Sequence, residues 1–199
     1  MSDLTLFHTA QVHVDTFERL APKAELTHVV RPDWLARAQN GIDAGLEAEI
    51  IKAIAAAPSP VLCSCTSVGE VAEVAGATRI DWPMMQEAAR IGGPVLMAYC
   101  VESTVIPSRA LLLRAFGETD PQLELLDLSR HWPLFEVEDT LGFTRALAAS
   151  IMTKLENSTF GCIILAQASM AAVAEVVQQR SAVPVLASPK IAVRELLGV

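Results

Sequence analysis

The sequence is short of basic side chains, of aromatic rings and of charge altogether. Its 199 residues carry 15 Lys and Arg against 23 Asp and Glu, a formal net charge of −8, and only 5% are aromatic. A nucleic-acid partner is set aside on that ground, because binding phosphates needs clustered cations that displace counterions. Hydrophobic residues make up 52% of the chain, enough for a large core, yet no run reads as a membrane span. The longest uncharged stretch, residues 157–174, includes Asn157, Ser158, Thr159, Gln167 and Ser169, whereas a span needs about 20 mainly apolar residues. The opening Met1-Ser2-Asp3-Leu4 has no basic leader, so a cytoplasmic protein is expected. Its four cysteines, Cys63, Cys65, Cys100 and Cys162, are then expected as free thiols. No second Cys or His cluster completes a zinc spacing around Cys63 and Cys65, so no metal is expected. Also missing are a P-loop, a Gly-x-Gly-x-x-Gly turn and a Gly-x-Ser-x-Gly elbow, which argues against the nucleotide and hydrolase chemistries that use them.

What is present is a βα rhythm. Short apolar runs at 4–8, 25–30, 60–65, 94–100, 123–128, 162–167 and 183–187 alternate with segments of helical period. The runs are apolar on both faces, as in parallel strands covered by helices. Leu46, Ile50 and Ile54 make one helical stripe behind an Asp43 cap, and Phe143, Leu147, Ile151 and Leu155 make another. The chain also repeats itself. Residues 61–74 laid over 163–176, at a constant offset of 102, align Ser67 with Ser169 and repeat Val-Ala-Glu-Val. The strands 4–8 and 25–30 are answered by 94–100 and 123–128, an order that chance matches of Ala and Val would not readily reproduce. The expected fold is α/β: two similar Rossmann-like parallel-sheet halves related by a pseudo-two-fold, with a ligand cleft between them. The Gly92-Gly93-Pro94 turn separates a first half, 1–92, from a second, 93–187, and residues 188–199 are expected as a C-terminal helix on the first. The segment from Arg79 to Met85 is expected as a connection between the halves rather than a lid.

Open parallel sheets bind ligands beyond the carboxyl ends of their strands. That rule places residue 65 opposite residue 167 in the expected cleft, with His8, Thr9 and the loop from Cys100 to Thr104 on its rim. Ser67 and Glu70 fit a Ser-x-x-Glu capping box, so a helix is expected to begin at Cys65 and to lower its thiol pKa toward neutrality. The same N–H groups, with the Thr66 and Ser67 hydroxyls, suit a carboxylate. The bland alternative is a capped helix after a buried small residue, since free Cys is commonly buried. Cys63, two residues earlier, reads as core and Cys162 as structural. An isolated His8 is more often packed or solvated than catalytic, and His13, His28 and His131 have no evident partner in sequence.

The duplicated halves, with Cys65-Thr66-Ser67 after one third strand and Ile163-Ile164-Leu165-Ala166-Gln167-Ala168-Ser169-Met170 at the matching place, resemble the aspartate/glutamate/hydantoin racemase superfamily. The resemblance implies cofactor-independent proton transfer at the carbon next to a carboxylate, one thiolate removing the α-proton and an opposing thiol returning one. It implies Cys65 as an acid/base, Thr66, Ser67 and Ser169 on the carboxylate of a small substrate with Thr9 as a further contact, and a homo-oligomer such as a dimer; His8 and Gln167 join the expected substrate-binding residues through their places at the strand ends. The family's second cysteine belongs at position 167, where this chain has Gln167, and glutamine exchanges no proton near neutral pH. Three readings follow: an isomerase that takes its second proton from Cys100, a single-cysteine decarboxylase of a malonate-type acid, or a binding protein that keeps the carboxylate site without turnover.

Overall fold

In the computed structural model, which describes residues 3–58 and 60–198, all seven expected strands form and an eighth joins them. The order is β1 (Leu4–His8), α1 (Val12–Leu20), β2 (Leu26–Val30), α2 (Pro32–Ala38), α3 (Ala44–Ala55), β3 (Val61–Cys63), α4 (Gly69–Val74), β4 (Thr78–Arg79) and α5 (Trp82–Ile91). It continues with β5 (Val95–Tyr99), α6 (Val105–Phe116), β6 (Leu123–Asp127), α7 (Trp132–Glu136), α8 (Thr140–Leu155), β7 (Cys162–Leu165), α9 (Ala171–Gln178), β8 (Val185–Ala187) and α10 (Ser188–Leu197). Two four-stranded sheets result, ordered β2-β1-β3-β4 and β6-β5-β7-β8, with every pairing parallel. The repeat seen in the sequence therefore extends to the strand order of each sheet.

The chain divides into two units, Met1–Pro83 with Pro189–Val199, and Met84–Ser188. The division falls within the start of α5 and not at the Gly92-Gly93-Pro94 turn. The segment from Arg79 to Met85 is structured: it closes β4 and opens α5, whose Met84, Met85 and Ala88 are fully buried. The glycine turn has a different task. Gly92 and Gly93 both have positive φ (71° and 76°), and a Cβ on Gly161 would lie 2.1 Å from the Gly92 carbonyl oxygen. A side chain at Gly161 would force apart the entries to β5 and β7, and one at Gly92 or Gly93 would be strained by the positive φ.

Each unit builds its own core. In the first, every residue of β1 and β3 is buried, and Phe7, Val61, Cys63 and Cys65 pack with Trp34, Leu46, Ile50 and Ile54. Helix α3 is fixed by Asp43, whose Oδ1 accepts from the Leu46 N–H at 2.7 Å. Its Leu46, Ile50 and Ile54 are at most 2% exposed, and each contributes about 1.5–3 kcal/mol of burial. In the second unit β5 and β7 are buried throughout, and α8, capped by Asp139 at Gly142 N (2.8 Å), packs Phe143, Leu147 and Ile151 on them. Leu155, the last residue of the expected stripe, is only partly buried. Among the described residues no helix is long and apolar enough to cross a membrane, and no group of three His, Cys, Asp or Glu side chains is placed to hold a metal ion.

Candidate active site

Strand β3 ends at Cys63, and the chain stays extended at Cys65 (φ −106°, ψ 116°) before one 3-10 turn, Thr66–Val68, leads into α4. Val68 is the residue that precedes α4, and no side chain caps it. The expected Ser67–Glu70 capping box is therefore not formed, and the α-helix starts at Gly69 instead of at the cysteine. Gly69 packs closely there: a Cβ would sit 3.1 Å from Arg79 Nε.

The Thr9 hydroxyl and the main-chain N–H groups of Ser67 and Val68 act on the Cys65 sulfur to favour its charged form. Three donors on one sulfur favour the thiolate. Burial opposes them and prevails: Cys65 is 8% exposed, and its pKa lies above the ordinary thiol value, with desolvation the main cause and Asp81 a smaller one. The expected depression toward neutrality is thus corrected. At neutral pH Cys65 is a thiol surrounded by groups ready to hold its thiolate. Thr9 and Thr66 are buried and Ser67 is half-buried. Cys63 is core, 1% exposed, donating its S–H to the Cys65 carbonyl at 3.7 Å and pushed up to about 12 by burial.

His8 is not a rim residue. It is fully buried, and both ring nitrogens are taken: Nδ1 lies 2.7 Å from Ser64 Oγ and Nε2 lies 2.8 Å from His28 Nδ1. His28 Nε2 in turn meets Glu18 Oε1 at 3.1 Å. His13 stands 6.1 Å away, ring centre to ring centre. Burial, then the neighbouring His13 and His28, lowers the His8 pKa to about 3, and burial lowers that of His13 to about 4. His28 thus has partners that were not evident in the sequence. The signal was strand parity: β1 pairs β2 in parallel with Leu6 opposite His28, so His8 and His28 belong to one face of the sheet.

A buried ion pair was also missed. Arg79 and Asp81, 4% and 1% exposed, meet through Nε to Oδ1 (3.2 Å) and Nη2 to Oδ2 (3.3 Å). Arg79 lies opposite Cys63 in the β3–β4 register. Charged residues two apart in an otherwise apolar segment were the available clue, because such groups are buried only when paired.

In the second unit Gln167 sits in extended backbone after β7. Its Oε1 accepts from the N–H groups of Cys100 (2.6 Å) and Val101 (2.9 Å), and its Nε2 donates to Ser169 Oγ at 3.5 Å. Cys100 is 2% exposed in the apolar cluster with Leu128 and Phe143, and burial pushes its thiol up to about 12. That makes it a core thiol, a poor base and a slow source of protons. Cys162 is fully buried and pushed up to about 11. The site residues thus fall into two groups: Cys65 with Thr9, Thr66 and Ser67 in the first unit, and Gln167 with Cys100 and Ser169 in the second.

No family model and no curated protein sequence matches the chain. Its fold is shared with solved racemases. It is similar to glutamate racemase isoform RacE1 from Bacillus anthracis, with a TM-score of 0.70 and 12% identity over 99% of this chain and 80% of that one. It is similar to the aspartate racemase of Picrophilus torridus (TM-score 0.69, 12% identity, 98% and 92% covered). It is also similar to the allantoin racemase of Klebsiella pneumoniae (TM-score 0.66, 15% identity, 98% and 86% covered).

Proposed function

We propose that the protein is a cofactor-independent enzyme of the racemase and isomerase type, moving a proton at the carbon next to the carboxylate of a small acid, with Cys65 as the acid/base. The observation that carries this reading is the place of Cys65, just beyond the carboxyl end of the inner strand β3 and before the turn Thr66–Val68, where the Thr9 hydroxyl and two main-chain N–H groups favour its thiolate. Those donors stabilise the thiolate that forms when the sulfur gives its proton or that exists before it takes one. Thr9, Thr66 and Ser67 supply the hydroxyls, and the turn after Cys65 the N–H groups, for the substrate carboxylate and the enediolate it becomes. Fold shared with racemases of glutamate, aspartate and allantoin supports the reaction class.

Two observations favour a second reading, in which the proton moves one way. Cys65 is protonated at neutral pH because burial raises its pKa, and Gln167, at the position equivalent to Cys65, holds a carboxamide already engaged by two N–H groups. A single thiol suits a malonate-type acid: the carbon–carbon bond to one carboxylate breaks, carbon dioxide leaves, and the electron pair stays on the α-carbon as an enediolate. The Cys65 S–H then protonates that carbon, and water restores the thiol.

One panel separates these readings. Small 2-amino and 2-hydroxy acids in deuterated water report α-proton exchange by NMR, and substituted malonates report carbon dioxide release. Either reaction is expected to vanish in Cys65→Ser. Turnover that survives this substitution would overturn the proposal. Thermal stabilisation by a small dicarboxylate without either reaction would identify a binding protein.

A further inference from the structure

With both rings neutral, the chain Ser64–His8–His28–Glu18 has one consistent direction. A carboxylate only accepts, so Glu18 receives the proton of His28 Nε2. In a neutral imidazole the other nitrogen is an acceptor, so His28 Nδ1 receives the proton of His8 Nε2. His8 Nδ1 is then the acceptor, and the Ser64 hydroxyl is its donor. His8 stays neutral because it is fully buried and His13, from α1, lies beside it. The other groups facing His8 are Phe17 of α1 at 5.3 Å and His28 of β2 at 5.1 Å, with Glu18 beyond His28.

We propose that His8 and Ser64 are positioning residues for Cys65: their hydrogen bond ties the end of β1 to the end of β3 one residue before the contact between Thr9 and Cys65, and so sets the reach of the Thr9 hydroxyl to the sulfur. His8 is followed by Thr9 and Ser64 by Cys65. Successive residues of an extended chain point to opposite faces, so the tie and the thiol contact are consecutive rungs on opposite faces of one strand pair. The second unit is an internal control. At the positions equivalent to His8 and Ser64 it has Tyr99 and Ala166, which cannot make this bond, and it has no thiol at 167. The inference rests on Cys65 being the reactive group, but its test does not need turnover.

Two measurements on the full chain test it. In the unmodified protein, the ring-nitrogen shifts of His8 should show an Nδ1 engaged in a hydrogen bond, with the proton on Nε2 when His28 is neutral. An Nδ1 whose shift shows no hydrogen bond would mean that the tie to Ser64 is absent and would overturn the proposal, and this reading stands whether or not any variant folds. In Ser64→Ala the pH profile of Cys65 alkylation, followed by peptide mass with Cys63, Cys100 and Cys162 as references, should move to higher pH. At fixed pH the rate should fall about tenfold, the equivalent of one hydrogen bond to a charged group, and Ser64→Thr should restore it. An unchanged Cys65 profile in folded Ser64→Ala would refute the positioning role. Loss of turnover in Cys65→Ser with no change of alkylation in Ser64→Ala would refute it while leaving the proposed function intact.

Discussion

The two units have one strand order and put different chemistry at equivalent places. Where the first has Cys65, His8, Ser64 and the Arg79 of its fourth strand, the second has Gln167, Tyr99, Ala166 and Ala187. The first unit holds three of the four histidines, two of them buried, within or beside a hydrogen-bonded chain. The second answers with an apolar cluster and one carboxamide latched to two backbone N–H groups. A duplicated backbone therefore fixes where a reactive group can stand, and the side chains decide which copy has one. The unit with the thiol also carries the groups that cost most to bury.

The largest effect should come from exchanging the sulfur in each unit. Cys65→Ser should lower the rate of proton transfer by about a thousandfold, within the range for losing a general acid or base. Cys100→Ser places a hydroxyl in an apolar cluster and should cost about 1–3 kcal/mol of stability, with the rate per folded molecule unchanged. Equal loss of rate in both variants would mean that Cys100 takes part in the chemistry, and the contrast between the units would fall.

Acid should distinguish the units next. His8 and His13 have folded pKa values lowered to about 3 and about 4 from 6.5. The unfolded chain then binds protons that the folded one does not, so their contribution to stability is present above about pH 6.5 and declines as pH falls toward those values. Each costs about 1.4 kcal/mol per pH unit across that window. Hydrogen exchange at about pH 5 should show α1, β1 and β2 losing protection before α8 and β7. The only histidine of the second unit, His131, is partly exposed and bonded to Ser150. Simultaneous loss in both units would show that the cluster does not set the acid limit.

A smaller effect isolates the latch. Gln167→Ala leaves the N–H groups of Cys100 and Val101 without their acceptor, and a buried unpaired donor costs about 1–3 kcal/mol. The second unit should melt earlier while Cys65 alkylation stays unchanged, which a denaturant titration with peptide-resolved labelling would check.

The strands and apolar stripes were legible because burial on both faces leaves a continuous hydrophobic run, and helical burial a period of three to four. The Asp43 cap was legible for a local reason, since its acceptor and donor are three residues apart. The position of Cys65 at a strand end followed from the repeat. What escaped depended on contacts between distant residues. β4 is two residues long and has no periodicity to read. The sign of the Cys65 shift was misjudged because local N–H donors are visible in sequence and desolvation is not. His28 and Glu18 joined His8 only through sheet register and the packing of α1. Arg79 and Asp81 were visible as charges, but their burial was not.

The smallest effect compares the two helix caps. Asp43 and Asp139 make equivalent bonds, 2.7 and 2.8 Å to the N–H three residues on, at the starts of α3 and α8. Asp43→Ala and Asp139→Ala should each cost about 1 kcal/mol. Cap energy depends on local geometry, so the two losses should agree although the units differ in most polar groups at their strand ends. If both substitutions shift a single thermal transition equally, the chain unfolds as one cooperative body. If Asp43→Ala destabilises only peptides of the first unit, and Asp139→Ala only those of the second, each half carries its own stability. In that case the acid sensitivity of the first unit acts on the thiol while the second remains folded.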